Sequence, residues 1–113
     1  MDLRMEDGMT ITRTLLCALL VSAFTATTGR AHWEVLIRAR AVENLAWLLA
    51  PNQGGHHSNG RETFGHSAIV NPWGQIVASA THGEALVLAN FDEHLAARVR
   101  AQLPALQHRR LNP

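Results

Sequence analysis

Seven histidines, one cysteine, nine carboxylates and no lysine are the reactive groups of this chain. His56 and His57 stand together and His66 follows nine residues later. Zinc, however, needs three or four ligands in tetrahedral geometry, and the paired spacing of a structural or catalytic zinc site is missing, so no metal is expected. His66 beside Ser67, and His32 beside Trp33, read as hydrogen-bonded structural residues. Cys17 is the single thiol. A nucleophilic cysteine acts as a thiolate stabilised by a helix N-terminus or a cationic neighbour, whereas Cys17 lies between Leu16 and Ala18 in the apolar run Leu15–Val21, a setting that disfavours the thiolate. Glu34 and Arg38 sit four apart in the favourable order for a helical ion pair, a surface feature rather than a catalytic one.

The elements that must position these groups follow from periodicity. Residues 1–14 show no helical or strand period. Leu15–Val21 is short and apolar, as a fully buried strand is; with Arg13 before it and small residues after it, Arg13–Ala26 also fits a secretory signal peptide. From Trp33 the spacing of Trp33, Leu36, Ile37, Ala41, Asn44 and Leu45 predicts one buried helix face, with Thr27 or Thr28 capping its start and Glu34, Arg38 and Glu43 off that face. Leu45–Pro51 predicts a second buried strand, and Asn52–Glu62, rich in glycine, a loop. Phe64–Val70 and Gln75–Ala80 predict an antiparallel hairpin, joined by the turn Asn71-Pro72-Trp73-Gly74. Ala85–Phe91 predicts a further strand after a turn at Thr81–Glu84, and Asp92 a cap for a last helix that stops at Leu103 before Pro104. Strand, helix, strand, hairpin, strand and helix in that order make a mixed α/β layer structure.

Three stretches carry a resemblance. Ser-Ala-Phe-Thr-Ala-Thr-Thr-Gly-Arg-Ala-His-Trp-Glu from Ser22, Gly-Arg-Glu-Thr-Phe-Gly-His-Ser-Ala-Ile-Val-Asn-Pro-Trp-Gly from Gly60, and Leu-Pro-Ala-Leu-Gln-His-Arg-Arg from Leu103 appear in one order. Together they resemble the C-terminal portion of the nitrilase-like carbon–nitrogen hydrolases, in particular the amidase branch that includes deaminated glutathione amidase and omega-amidase. The resemblance covers Ser22–Arg110. It implies an α/β fold, the C-terminal part of a four-layer α-β-β-α sandwich, with residues 15–110 a partial hydrolase domain, 1–14 a divergent segment and 111–113 a tail.

The family's chemistry, by the same resemblance, is attack of a cysteine thiolate on an amide or nitrile carbon, with a glutamate as general base and a lysine at the oxyanion, through a thioester that water hydrolyses. No cofactor enters. These 113 residues hold no lysine. In the family the cysteine precedes a Tyr-Asp-Leu-Arg-like segment; if Asp2-Leu3-Arg4 is that segment, the nucleophile falls just before Met1. The expectation is a partial hydrolase with no catalytic residue of its own, acting on a small linear amide only when complete; the alternative is a non-catalytic binding or assembly module derived from the fold. Phe24, Thr25 and Thr28 are the substrate-pocket candidates on the resemblance, and the helix Arg30–Leu45 is the candidate for self-association into a homo-oligomer, on the resemblance and because its face carries Trp33, Leu36 and Ile37.

Composition sets the remaining bounds. A chain of 113 residues with 47% hydrophobic and 17% charged residues is globular rather than disordered. A net charge of +1 gives no reason to expect nucleic acid, the apolar run is too short to span a bilayer, and the cluster Arg98, Arg100, Arg109 and Arg110 reads as a solvated face. A single cysteine excludes an internal disulfide and fits a reducing compartment, so a cytoplasmic location is expected, or a secreted one if Arg13–Ala26 is a signal peptide.

Overall fold

A helix must satisfy the N–H groups of its first turn, and here Thr25 does so from an extended backbone (φ −62°, ψ 155°), its hydroxyl accepting the Thr28 N–H. In the computed structural model, which describes residues 17–19, 22–108, 110 and 111, one helical run follows from that cap. It comprises α1 (Ala26–Thr28), a π-helical turn (Gly29–Trp33) and α2 (Glu34–Asn44). The run therefore starts several residues before Arg30, and the cap is Thr25 rather than Thr27 or Thr28.

The buried residues of the run are Ala26, Gly29, Trp33, Ile37 and Ala41. From Trp33 on they form a single row spaced four apart, narrower than the sequence spacing suggests. Leu36 is 39% exposed, Asn44 is exposed, and Leu45 is half-buried because it has already left the helix in a left-handed conformation (φ 47°). A helix lying flat on a sheet buries a stripe, and the i+3 positions fall on its flanks. The outward side carries Val35, Leu36 and Val42, while Glu34 reaches Arg38 at 3.6 Å as expected for an exposed i, i+4 pair. At the C-terminal end the Ala46 N–H donates to the Ala41 carbonyl, and Arg100 from the last helix donates through Nε to the Leu45 carbonyl (3.2 Å) and through Nη2 to the Asn44 carbonyl (2.9 Å). A guanidinium on those free carbonyls satisfies them and complements the helix dipole.

Among the described residues the sheet that receives this helix has four strands, in the order β1 (Cys17–Leu19), β2 (Trp47–Ala50), β5 (Ser67–Val70) and β6 (Ile76–Ala80). β1 runs parallel to β2, as a strand–helix–strand crossover requires, and the other pairs are antiparallel. Alternation then divides the residues of β2 and β5 between two faces. Leu48, Ala50, Ala68 and Val70 meet Trp33, Ile37 and Ala41 in the main core, with Phe24 and Phe64 packed at its margin. Trp47 and Ile69 face the other way, against Leu95 and Ala96 of α3 (Leu95–Gln102). The turn Asn71–Gly74 forms as predicted: the Gly74 N–H donates to the Asn71 carbonyl, and Asn71 Oδ1 accepts from the Trp73 and Gln75 N–H groups.

Three further expectations need correction. Asn52–Glu62 is not a plain loop but holds most of a small hairpin, β3 (Gly54–His56) and β4 (Glu62–Phe64), whose alternation is too short to register as a period. Phe64–Val70 is not one strand, because Gly65 and His66 both take positive φ and separate β4 from β5. Ala85–Phe91 is not a strand: Leu86 is 82% and Leu88 73% exposed, since an apolar alternation becomes a strand only beside a ladder partner, and among the described residues it has none. Asp92, the expected cap, lies three residues before α3, whose N-cap is His94; its carboxylate accepts the His94 N–H, and the Arg98 guanidinium bonded to it holds its pKa below the ordinary aspartate value. Arg98 and Arg100 thus serve different partners rather than forming one basic face. Most of the apolar run Leu15–Val21 and all of Asp2-Leu3-Arg4 lie outside the described residues.

Gly29 is the tightest point between helix and hairpin. A Cβ there would run into the Phe64 side chain, although the backbone at Gly29 (φ −62°) suits any residue. Gly29→Ala is therefore expected to lower stability by about 1–3 kcal/mol through overpacking, and Phe64→Ala in the same chain to relieve much of that penalty. Urea denaturation of the two single variants and the double variant checks this through their non-additivity.

Candidate functional site

Asn52 ties the strand ends together. Buried at 8% exposure, it accepts the Phe24 N–H at Oδ1 (3.2 Å) and donates from Nδ2 to the Gly65 carbonyl (2.6 Å). Its own N–H donates to Ser67 Oγ (3.0 Å), and the Ser67 hydroxyl lies 3.3 Å from the Asn52 carbonyl. Around it the Phe64 N–H donates to the Phe24 carbonyl, the Gly65 N–H to the Gln53 carbonyl and the Gln53 N–H to the Ser22 carbonyl. The segments 22–25, 52–54 and 63–67, far apart in sequence, are thereby held edge to edge.

Within this frame the kink at Gly65 (φ 72°) and His66 (φ 60°) turns one side chain outward. A side chain at Gly65 would meet the Thr81 carbonyl oxygen at 2.8 Å, so both conformation and space require glycine. His66 has no such freedom, and three bonds hold it in the left-handed region. The Trp33 indole N–H donates to its carbonyl (2.8 Å), its own N–H donates to the Thr81 carbonyl (3.2 Å), and its ring Nδ1 donates to the Phe64 carbonyl (2.7 Å). The last bond fixes the Nδ1–H tautomer when the ring is neutral. The imidazole stacks on Phe64 with centroids 3.9 Å apart and planes 13° from parallel, and His82 meets it edge-on at 5.3 Å.

These groups open onto a cleft of about 350 Å³ lined by Arg30, Glu62, Thr63, Phe64, His66 and His82. None of the pocket candidates Phe24, Thr25 and Thr28 is among the lining residues. Phe24 is half-buried against Trp33 (5.4 Å), Thr25 caps the helix and bridges Thr63, and Thr28 spends its hydroxyl on Thr25 (2.7 Å). Of the histidines, His57 Nε2 is hydrogen-bonded to the Thr63 hydroxyl (2.8 Å) and His56 lies 4.0 Å from Glu62; among the described residues no three His, Cys, Asp or Glu side chains gather around a common point. Sequence reasoning missed Arg30, Glu62 and His82 as cleft residues, because only tertiary pairing brings them there. One signal for His82 was present: the Asn71–Gly74 turn sets Ser67 opposite Ala80, which carries the chain back past His66.

Removal of the Asn52 side chain leaves the Phe24 N–H and the Gly65 carbonyl without it. Asn52→Ala is expected to cost about 1–3 kcal/mol for each buried group left unpaired, more than Ser67→Ala, and to collapse the 3.9 Å Phe64–His66 stack. Urea denaturation and the ring-current shift of the His66 protons read the two effects.

The comparisons with known proteins bear on what this frame belongs to. The family model for carbon–nitrogen hydrolases matches residues 4–101. The chain is 49% identical over 89 residues to a deaminated glutathione amidase of Rattus norvegicus, covering 79% of this chain and 27% of that protein. Its structure is similar to that of the Caenorhabditis elegans NitFhit protein, with a TM-score of 0.77 and 40% identity over 88% of this chain and 25% of that one. It is also similar to Saccharomyces cerevisiae Nit3, a member of branch 10 of the nitrilase superfamily, with a TM-score of 0.78 and 30% identity over 89% of this chain and 38% of that one. The chain thus spans between a quarter and two fifths of the length of these relatives. A mixed α/β structure with nitrilase-fold neighbours and a family match over most of its residues place it plainly: this chain belongs to the carbon–nitrogen hydrolase family.

Proposed function

We propose that these residues form the C-terminal part of an amidase that, when complete, hydrolyses a small linear amide to an acid and ammonia through a cysteine acyl-enzyme. The observation that carries this reading is the 49% identity, over 79% of this chain, to a deaminated glutathione amidase. In this role Phe24, Thr25 and Thr28 border the substrate, on a helix start fixed by the Thr25 cap and by the Phe24–Trp33 contact. The chemistry itself requires a thiolate, a carboxylate base and an oxyanion donor, and the family's lysine has no counterpart among these 113 residues. Cys17 sits within β1, paired with Trp47 in the ladder, rather than at the start of a helix where a thiolate would be stabilised.

The 113 residues alone are therefore expected to release no ammonia from a panel of short ω-amides. The loss is not graded, because members of a covalent catalytic unit fail together, and one oxyanion donor alone is worth about 10²–10³ in rate. Coupled-enzyme ammonia detection on the purified chain, with Cys17→Ser alongside, is the measurement. Turnover well above buffer that vanishes in Cys17→Ser would make Cys17 the nucleophile and overturn this reading.

The same reading includes self-association through the outer side of the helix. Trp33 and Ile37 are buried against the sheet, so the available apolar surface is Val35 (68% exposed), Leu36 and Val42 (47% exposed). Val35→Asp with Leu36→Asp is expected to shift the chain to a smaller species in light scattering while circular dichroism stays unchanged. An unaltered size would remove this helix from the interface.

A further inference from the structure

Arg30 and Glu62 line the same cleft, yet they do not pair with each other: within 4.0 Å the Glu62 carboxylate meets only His56 Nε2 among the described residues, and Arg30 meets no carboxylate among them. Two opposite charges thus face one opening of about 350 Å³ without neutralising each other. Arg30 stands early in the helical run, toward the end where the macrodipole offers a cation no stabilisation. The stacked Phe64 and His66 rings line the same cleft. With Nδ1 of His66 committed to the Phe64 carbonyl, its neutral ring has one free atom, Nε2, and that atom is an acceptor. Thr63 adds no free donor, because its hydroxyl is taken up between His57 Nε2 and the Gly55 carbonyl.

We infer that this cleft binds a small zwitterion of the α-amino acid class. Its carboxylate meets the Arg30 guanidinium, whose N–H groups are donors only, and its ammonium meets the acceptors Glu62 and His66 Nε2. Selectivity follows from the pairing: a simple carboxylate leaves Glu62 repelling it, and a simple amine leaves Arg30 unanswered. The volume lies at the small end of ligand sites, which suits a ligand of this size. This inference does not depend on the amidase reading, since it uses only residues lining the cleft.

The test is a heteronuclear NMR titration of the full 113-residue chain at neutral pH with L-alanine, propionate and ethylamine, following the Arg30 side-chain N–H and the amides of Glu62, Thr63 and His66. Saturable shifts are expected with L-alanine, with propionate and ethylamine weaker by about fivefold each, the scale of one exposed ion pair. Arg30→Gln and Glu62→Gln should each weaken L-alanine by a similar factor, whereas Arg61→Gln, exposed and outside the cleft lining, should not. Should Arg30→Gln lose spectral dispersion, Arg30→Lys keeps the charge and should retain preference for the zwitterion. Equal affinity for propionate and L-alanine, shifts insensitive to Arg30→Gln and Glu62→Gln, or no shifts at all would overturn the inference.

Discussion

One buried side-chain amide joins what the sequence keeps apart. Asn52 has an acceptor and donors in the right places to bond Phe24 on one side and Gly65 on the other, and its main-chain N–H uses the Ser67 hydroxyl. A hydrophobic contact could hold these segments near one another but could not fix their register, because burial is non-directional. The amide is directional, and a partly satisfied one would be costly in so buried a place. With register fixed, the Gly65–His66 kink falls beneath the Trp33 indole, Phe64 settles over Gly29, and the cleft acquires its walls.

The helix and sheet contribute the second constraint. Trp33 both fills the core and, through its indole N–H, reaches the His66 carbonyl, so the same residue that anchors the helix also sets the strained residue of the site. Packing and site geometry are therefore coupled at one side chain. Arg100 makes a comparable link at the far end, tying the end of α2 to α3 through the Asn44 and Leu45 carbonyls.

What could be read from the sequence was whatever depends on neighbours along the chain. The Asn71-Pro72-Trp73-Gly74 turn, the hairpin it closes and the strand Trp47–Ala50 follow from turn chemistry and a short apolar run. Three long motifs sufficed to identify the family. The rest depended on partners distant in sequence. The β3–β4 hairpin is held by pairing to Phe24 and Gln53, and nothing in Asn52–Glu62 announces that. Ala85–Phe91 shows the reverse: its alternation is that of a strand, and the ladder partner is what is missing among the described residues. For the site, the residues named on the resemblance, Phe24, Thr25 and Thr28, are not among those lining the cleft, while Arg30 from the helical run and Glu62 and His82 from the strands and turns are brought together there only by tertiary pairing.

The claim that Asn52 makes the segments 22–25, 52–54 and 63–67 one unit is tested most directly by native-state amide hydrogen exchange. The Phe24, Gln53, Phe64 and Gly65 N–H groups, which bond to Asn52, Ser22, Phe24 and Gln53 respectively, are expected to open with a common free energy and a common denaturant dependence. Exchange of the Phe24 amide at a markedly lower free energy than that of Gly65 would show that the segments open separately, and would contradict the account.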